Sequence, residues 1–396
     1  MNTSLHYLFE PTTWTSPPES YSFSRLATIN SCPRRWLLIN SRWGEFARFP
    51  QRARPSAIEG QIVHDALDRL AKELGRVGRP PIGSSAFSQA VEHCDFWRYF
   101  AEQIAGWNSK LTQHPRPSPT YVVRTKPADL ANLAVRLFRE QYRTGDGKGI
   151  SETRSAPKVS LSGRSASLSS LLKGRGSLSE LRLAHPSLPF VCVLDLVQQV
   201  DHDNVAIVDF KTGRPKPEHK DQLETYAVLW WRATEQFPTH IAVQYLDTGY
   251  DWRVSPDQIR SREDALAAEV QLAAAVLGNP PAPARPGEAC GWCPVRARCD
   301  EGWKSLEQAH PYSPGSDAQS DVSIDLELVV ASLPYMTGYA ASLVNGDRVH
   351  IVYDAATGAS LPPVEVGERL RLIDVMARPG GKEFQIYPWT ETYRIS

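Results

Sequence analysis

Apolar residues fall at helical spacing through the first part of the chain and gather into short alternating or continuous runs later. From Tyr21, "FSRLATINSCPRRWLL" predicts one helix, with Ser22 or Ser24 as its cap. "SAIEGQIVHDALDRLAKEL" places Val63, Leu67, Leu70 and Leu74 on one stripe and predicts a second. Less regular helical sequence follows in "SSAFSQAVEHCDFWRYFAEQIAGW" and "ADLANLAVRLFREQYR". Residues 145–178, rich in Gly, Ser, Lys and Arg, read as a mobile surface loop. "SELRLA", "FVCVLDLVQQV" and "NVAIVDFKT" then predict strands. "KDQLETYAVLWWRATEQ" reads as a helix, "HIAVQYLD" as a strand and "PDQIRSREDALAAEVQLAAAVLG" as a long helix. Beyond "CGWCPVRARC" and the linker "HPYSPGSDAQSD", only short strands remain. The expected organisation is a lead-in over 1–20, an α/β domain over 21–309, a linker over 310–321 and a small all-β barrel over 322–396. The linker implies that the barrel is separable from the rest and dispensable for any upstream chemistry.

Composition narrows the functions. The 396 residues are 41% apolar with eleven tryptophans, enough for a substantial core. Lys+Arg and Asp+Glu balance at 44 each, which argues against coating nucleic acid by bulk charge but leaves room for a local basic cleft. No apolar run approaches the roughly 20 residues that span a bilayer, so no membrane partner is expected. The first residues lack the basic start and apolar centre of a secretion signal, and a cytoplasmic, reducing setting is expected. No G-x-x-x-x-G-K-[ST] occurs, so a helicase or translocase would be a separate chain.

The chemistry concentrates in "VAIVDFKTG". Residues i and i+2 of a strand share a face, so Asp209 and Lys211 project together beyond an apolar run. The preceding strand, "FVCVLDLV", carries a second acid, Asp195, in apolar company. Two acids buried on neighbouring strands need compensation, and carboxylate oxygens suit Mg²⁺ or Mn²⁺. The plain alternative for any single D-x-K is a strand-end salt bridge.

"CPRRW" (32–36), "EGQIVHDAL" (59–67), "VLDLV" (193–197), "VDFKTG" (208–213) and "QLETYA" (222–227) together resemble the successive motifs of the RecB-like branch of the PD-(D/E)xK nuclease superfamily. The resemblance implies a mixed sheet flanked by helices that binds Mg²⁺ or Mn²⁺ and hydrolyses DNA, leaving 5′-phosphate and 3′-hydroxyl ends. It implies His64, Asp195 and Asp209 as metal ligands, with the Phe210 carbonyl as a fourth. It gives Lys211 the attacking water or the transition state, and Gln222 and Tyr226 the family's Q-x-x-x-Y element. Glu180 aligns loosely with an acid on the family's first strand. The chain departs at Cys192, where glycine is frequent, and in the long span between His64 and Asp195.

Cys290, Cys293 and Cys299 form C-x2-C-x5-C, one ligand short of four, and Cys32 is the natural fourth. This layout resembles the iron–sulfur staple of AddB-type and CRISPR-adaptation members of the branch, implying a 4Fe-4S cluster. A four-cysteine zinc site is the alternative that sequence leaves open. Cys94 and Cys192 read as buried apolar residues.

Near Cys32, Arg25, Arg34, Arg35, Arg42, Arg48, Arg52 and Arg54 form a basic excess that fits a phosphate backbone. Arg154, Lys158, Arg164, Lys173, Arg175 and Arg182 add a second group. The tail's Tyr339, Tyr353, Phe384, Tyr387, Trp389 and Tyr393 suit an OB-like barrel, as base-stacking rings or as its core. The leading expectation is a DNA exonuclease on single-stranded or unwound DNA, working in repair, CRISPR adaptation or phage defence beside a separate helicase or defence partner. Exo- and endonuclease action are not separated by the sequence. A non-catalytic DNA-binding subunit and a metal-dependent enzyme on RNA are the competing readings.

Overall fold

The computed structural model describes residues 4–52, 55–77, 80–112, 114–116, 125–144, 165–201, 204–211, 214–245, 248–309, 322–333, 337–361 and 363–395. The linker over 310–321 lies outside them. The chain opens with α1 (Ser4–Tyr7), α2 (Phe23–Ser31) and α3 (Pro33–Asn40). The single helix expected from Tyr21 is therefore two. Pro33 excludes the residue before it from helical backbone, and Cys32 sits extended at φ −162° and ψ 107°. Cys32 thus ends one helix and caps the next, its Sγ accepting the Arg35 N–H. Ser22 caps α2 through the Arg25 N–H, as expected.

Helices α4 (Pro55–Arg76), α5 (Ser85–His93), α6 (Phe96–Thr112) and α7 (Pro127–Thr144) follow. Their apolar stripes, including Ile62, Val63, Leu70, Phe87 and Phe100, close a core of their own. Part of the long span between His64 and Asp195 is thus a helical layer packed on α4. The loop expected over 145–178 is corrected at its end. Leu168 and Leu172, one turn apart, bury against the sheet and make residues Ser165–Arg175 helix α8. Residues 145–164 lie outside the described residues.

Strands β1 (Ser177–Ala184), β2 (Val191–Gln199) and β3 (Val205–Lys211) come next, then α9 (Glu218–Thr234), β4 (His240–Tyr245) and β5 (Gly249–Arg253). They form one sheet in the order β1-β2-β3-β4-β5, antiparallel except for the parallel pair β3–β4. A parallel pair needs a crossover, and α9 supplies it. Its Leu223, Ala227 and Trp230 are fully buried in the core shared with the sheet, while α10 (Pro256–Leu277) packs on α9 in turn. This second layer explains why Thr225, Val228 and Leu229 of α9 are buried as well.

After α11 (Asp300–Ala309) come β6 (Val322–Val330), β7 (Gly338–Leu343), β8 (Arg348–Val352), α12 (Ala355–Ser360), β9 (Arg369–Ala377), β10 (Glu383–Gln385) and β11 (Glu391–Ile395). Strand β6 pairs with both β7 and β9, β7 with β8, and β10 with both β9 and, in parallel, β8. Five strands therefore close into a barrel, with β11 added beside β9. Tyr339, Tyr353 and Phe384 fill its interior, so these three rings are core. Tyr387 and Trp389 stack on each other, half-buried, with centroids 4.5 Å apart.

The expectation of a separable tail is not met. Ile373 and Tyr393 of the barrel share a core with Leu38, Trp43, Phe49, Val295 and Trp303. Around that seat, Glu391 accepts from the Arg116 Nε and Nη2, each at 3.0 Å, and from the Arg52 Nε at 2.6 Å. Burial alone would raise the Glu391 carboxyl, yet Arg116 and Arg52 hold it at about 2. Arg371 bonds Glu327 and the Ala297 carbonyl, and Arg296 bonds Asp325 at 2.5 Å. The lead-in joins the same seat, since α1 packs on β11 and Arg298 donates to the His6 carbonyl. Among the described residues, no helix is long and apolar enough to cross a membrane.

This seat makes a prediction. Glu391→Ala leaves the Arg116 guanidinium buried without its carboxylate and Arg52 with Asp374 alone, and should cost about 3–5 kcal/mol. Glu102→Ala, which removes an exposed i,i+4 pair with Arg98, should leave the unfolding midpoint unchanged. Denaturant unfolding of both variants checks the contrast. Equal midpoints would show that the barrel is only loosely seated.

Candidate functional site

Strand β3 buries Val205, Ala206 and Ile207, and β2 buries Leu194, Leu196 and Val197. Acids at the ends of such strands are positioned by the sheet itself. The register pairs Leu196 with Val208, and one step further along it stand Asp195 and Asp209. Asp195 Oδ2 accepts the Phe210 N–H at 2.8 Å. Asp209 is only 2% exposed, and Lys211 Nζ lies 2.7 Å from its Oδ2. From α9, Gln222 Nε2 reaches Asp209 Oδ1 at 3.5 Å and also donates to the Tyr226 hydroxyl. The structure thus brings Asp195, Asp209, Lys211, Gln222 and Tyr226 together.

The electrostatics are those of a site short of positive charge. Burial first, and then the neighbouring Asp195, push Asp209 up to about 6, with Lys211 opposing them. Burial also raises Asp195, against the Phe210 N–H and Lys211. One lysine does not neutralise two buried carboxylates. A divalent cation with oxygen ligands would. Burial likewise raises the Tyr226 phenol, keeping it a neutral hydrogen-bonding group.

His219 is a member that sequence reasoning passed over. Its Nδ1 lies 2.5 Å from the Tyr245 hydroxyl, and burial followed by Lys211 lowers its pKa. His219, Gln222 and Tyr226 fall at i, i+3 and i+7, one face of α9. Extending the Q-x-x-x-Y spacing one turn backwards would have found it. Tyr245 had no such signal, because it reaches the site only through the pairing of β4 with β3.

Other expected residues stand as follows. His64 belongs to α4, but its side chain lies outside the described residues. Phe210 contributes its amide to Asp195. Glu180 is exposed at φ 51°, where the β1–β2 ladder is interrupted between the pairs Ser179–Leu196 and Leu181–Leu194, beside Asp195. Such backbone is rare for a residue other than glycine. Cys94 and Cys192 are buried.

The basic group near Cys32 is partly consumed by the fold. Arg34 bonds the Ala282 carbonyl and Glu301, Arg52 bonds Asp374 and Glu391, and Arg25 bonds the Ser20 carbonyl. Arg42, Arg48, Lys173 and Arg182 are exposed. Arg54, Arg154, Lys158 and Arg164, and the side chain of Arg175, lie outside the described residues.

Cys32, Cys290, Cys293 and Cys299 line one pocket with Arg35, Arg285 and Arg296, and all four are free thiols. Cys32 Sγ accepts the N–H groups of Arg35 and Arg285. A Cβ on Gly302 would meet the sulfurs of Cys290 and Cys299 at 3.3 and 3.4 Å. Among the described residues, no group of three or more His, Cys, Asp or Glu is arranged as it stands to hold a metal ion.

A family profile described as the PD-(D/E)XK nuclease superfamily matches residues 20–300. No curated protein matches the chain. Among solved structures, the chain is similar to the tetrameric p202 HIN2, with 13% identity and a TM-score of 0.17 over 19% of this chain and 43% of that one. It is similar to SSO0001 at 18% identity and a TM-score of 0.22, over 34% and 66% of the two chains. A murine DNA binding protein bound with double-stranded DNA matches at 9% identity and a TM-score of 0.19, over 56% and 94%.

The acid pair predicts an unusual pH response in metal-free protein. A carboxyl raised from 3.8 to about 6 on folding costs stability while it is ionised. That cost is present above about pH 6 and is relieved as pH falls through 6 towards 4. In a chelator near pH 7.5, Asp209→Asn should therefore be more stable than wild type, on the order of 3 kcal/mol. The gap should close towards about pH 4.5. Thermal unfolding across that range tests it, and a variant less stable at every pH would contradict the burial argument.

Proposed function

Because the chain belongs to the PD-(D/E)XK nuclease superfamily, we propose that it is a metal-dependent DNA nuclease of the RecB-like branch, cutting phosphodiesters in single-stranded or unwound DNA. The observation that carries this reading is Asp195 beside the buried Asp209 on neighbouring strands, with Lys211 2.7 Å from Asp209. A non-catalytic DNA-binding chain has no use for two unneutralised acids beneath one lysine.

Asp195 and Asp209 would hold the cation, joined by His64 and the Phe210 carbonyl. Mg²⁺ or Mn²⁺ bound there would polarise the scissile phosphate and acidify the attacking water. The Phe210 N–H fixes one oxygen of Asp195, leaving the other for a ligand. Lys211, beside Asp209, would offer its ammonium to the water or to charge developing on the phosphate. Gln222, held by Tyr226, keeps the orientation of Asp209.

The cysteine pocket supports a second part of the proposal, a 4Fe-4S cluster held by Cys32, Cys290, Cys293 and Cys299. Two backbone N–H groups bond the Cys32 sulfur and three arginines line the pocket, while burial raises the Cys293 and Cys299 thiols, so a bound cluster would have to displace their protons. Gly302 keeps open a space that any larger residue would enter. The cluster would join α3 to the segment after α10, stapling the two ends of a nuclease domain over 21–309. An OB-like fold for the barrel over 322–396 is a third part of the proposal, supported by α12 lying between β8 and β9 and by β8 running parallel to β10.

Two outcomes are expected. Asp209→Ala should abolish cleavage of end-labelled single-stranded DNA in Mn²⁺ while circular dichroism stays unchanged. Lys211→Ala should lose on the order of 10²–10³ in rate yet still bind Mn²⁺ by calorimetry. Full activity in either variant would overturn the mechanism. Protein purified without oxygen should carry iron and sulfide, lost in Cys32→Ser and Cys293→Ser. Stoichiometric zinc in colourless protein would replace the cluster.

A further inference from the structure

The sheet carries the site's chemistry outward to an edge that the mechanism does not use. Asp209 pairs across to Val243 of β4, and Val243 pairs on to Tyr250 of β5. Directly paired residues share a face of the sheet. Asp209, Val243 and Tyr250 therefore form one row, with Tyr250 two strand spacings, roughly 10 Å, from the acid. In the next row Lys211 pairs with Tyr245, whose ring stands edge-on to Tyr250 at 6.0 Å. Among the described residues, β5 pairs only with β4, so it is the edge of this sheet.

Tyr250 is 45% exposed, although large aromatic rings are normally covered. The ring is also held in place. Trp252, two residues on and on the same face, lies nearly parallel to it, tilted by 16° with centroids 6.0 Å apart. Trp252 in turn packs against the main core. A fixed ring with one open side, about one to two nucleotide steps from a phosphodiester site, has the form of a base-stacking platform. Lys211 and the exposed Arg214 supply positive charge where the backbone would pass.

We propose that Tyr250, backed by Trp252, stacks one unpaired base of the DNA strand whose backbone enters the Asp195–Asp209 site, an inference that rests on the nuclease reading above. A base inside a duplex has both faces covered by its neighbours and offers none to such a ring. The platform therefore selects single-stranded over continuous double-stranded DNA.

Binding is measured in chelator with full-length protein, so that no metal-dependent cleavage intervenes. The probes are a short fluorescein-labelled oligothymidylate and a dumbbell duplex closed by non-nucleotide ethylene-glycol loops, which has neither free ends nor unpaired bases. Tyr250→Ala should weaken oligothymidylate binding by roughly fivefold to a hundredfold. Tyr250→Phe should bind as wild type, and dumbbell affinity should be the same in all three proteins. A strand containing 2-aminopurine should be quenched by wild type and not by Tyr250→Ala. Unchanged oligothymidylate affinity in Tyr250→Ala, or an equal loss on the dumbbell, overturns the platform. Cleavage of the same oligonucleotide in Mn²⁺ separates the two readings. Cleavage without dependence on Tyr250 removes only the platform. Binding that depends on Tyr250 without any cleavage removes the nuclease reading and leaves a strand-binding site.

Discussion

Two parallel neighbouring strands cannot be joined by a tight turn, and that constraint organises the site. Because β3 and β4 run parallel, the chain leaving Lys211 must climb over the sheet as a helix and come down again at His240. The helix that does so, α9, begins immediately above the end of β3. One of its faces therefore meets Asp209, which is how Gln222 comes within reach of the acid and how His219 meets Tyr245. The same connection delivers β4, and through it β5, to the other side of the site. Remove the crossover and the acids lose their cover, their orienting amide and the edge strand together.

The buried charges of Glu391 and Asp209 have opposite electrostatics, and this separates their roles. Glu391 is fully buried, but two arginines surround it and its carboxyl is held far down, at about 2. Its charge is satisfied within the fold, and it acts as a fastening between barrel and helices. Asp209 is nearly as buried, yet its nearest neighbours are another acid and a single lysine, and it is pushed up to about 6. That difference marks the first as structure and leaves the second with uncompensated negative charge, which supports the cation proposed there. Burial alone does not distinguish them. The balance of neighbouring charge does.

The barrel's seat also changes the meaning of the cysteine region. Val295, Ala297 and Trp303, which lie among and just after the clustered cysteines, are core partners of Ile373 and Tyr393. Arg296 crosses the same boundary with its ion pair to Asp325, and Arg371 with its ion pair to Asp300 and its bond to the Ala297 carbonyl. The short segment bearing Cys290, Cys293 and Cys299 has little regular structure of its own. It is held between α3 on one side and the barrel on the other, so its geometry is a tertiary property.

Local pattern in the sequence determined a good deal. Alternation and apolar runs gave the central strands, and the i, i+2 rule put Asp209 and Lys211 on one side of β3. Helical spacing put Gln222 and Tyr226 on one face of α9. Pro33 marks a helix break in the residues themselves, although the apolar run continues across it. What periodicity does not encode is which strands lie beside which. His219, Tyr245 and Tyr250 join the site only because β3 pairs with β4 and β4 with β5. Arg52 and Arg116 look like free basic residues until β11 brings Glu391 to them, 339 and 275 positions away. Side-chain periodicity is a property of neighbours along the chain. Strand order and the pairing of distant charges are set by which buried surfaces fit one another, and only the folded chain decides that.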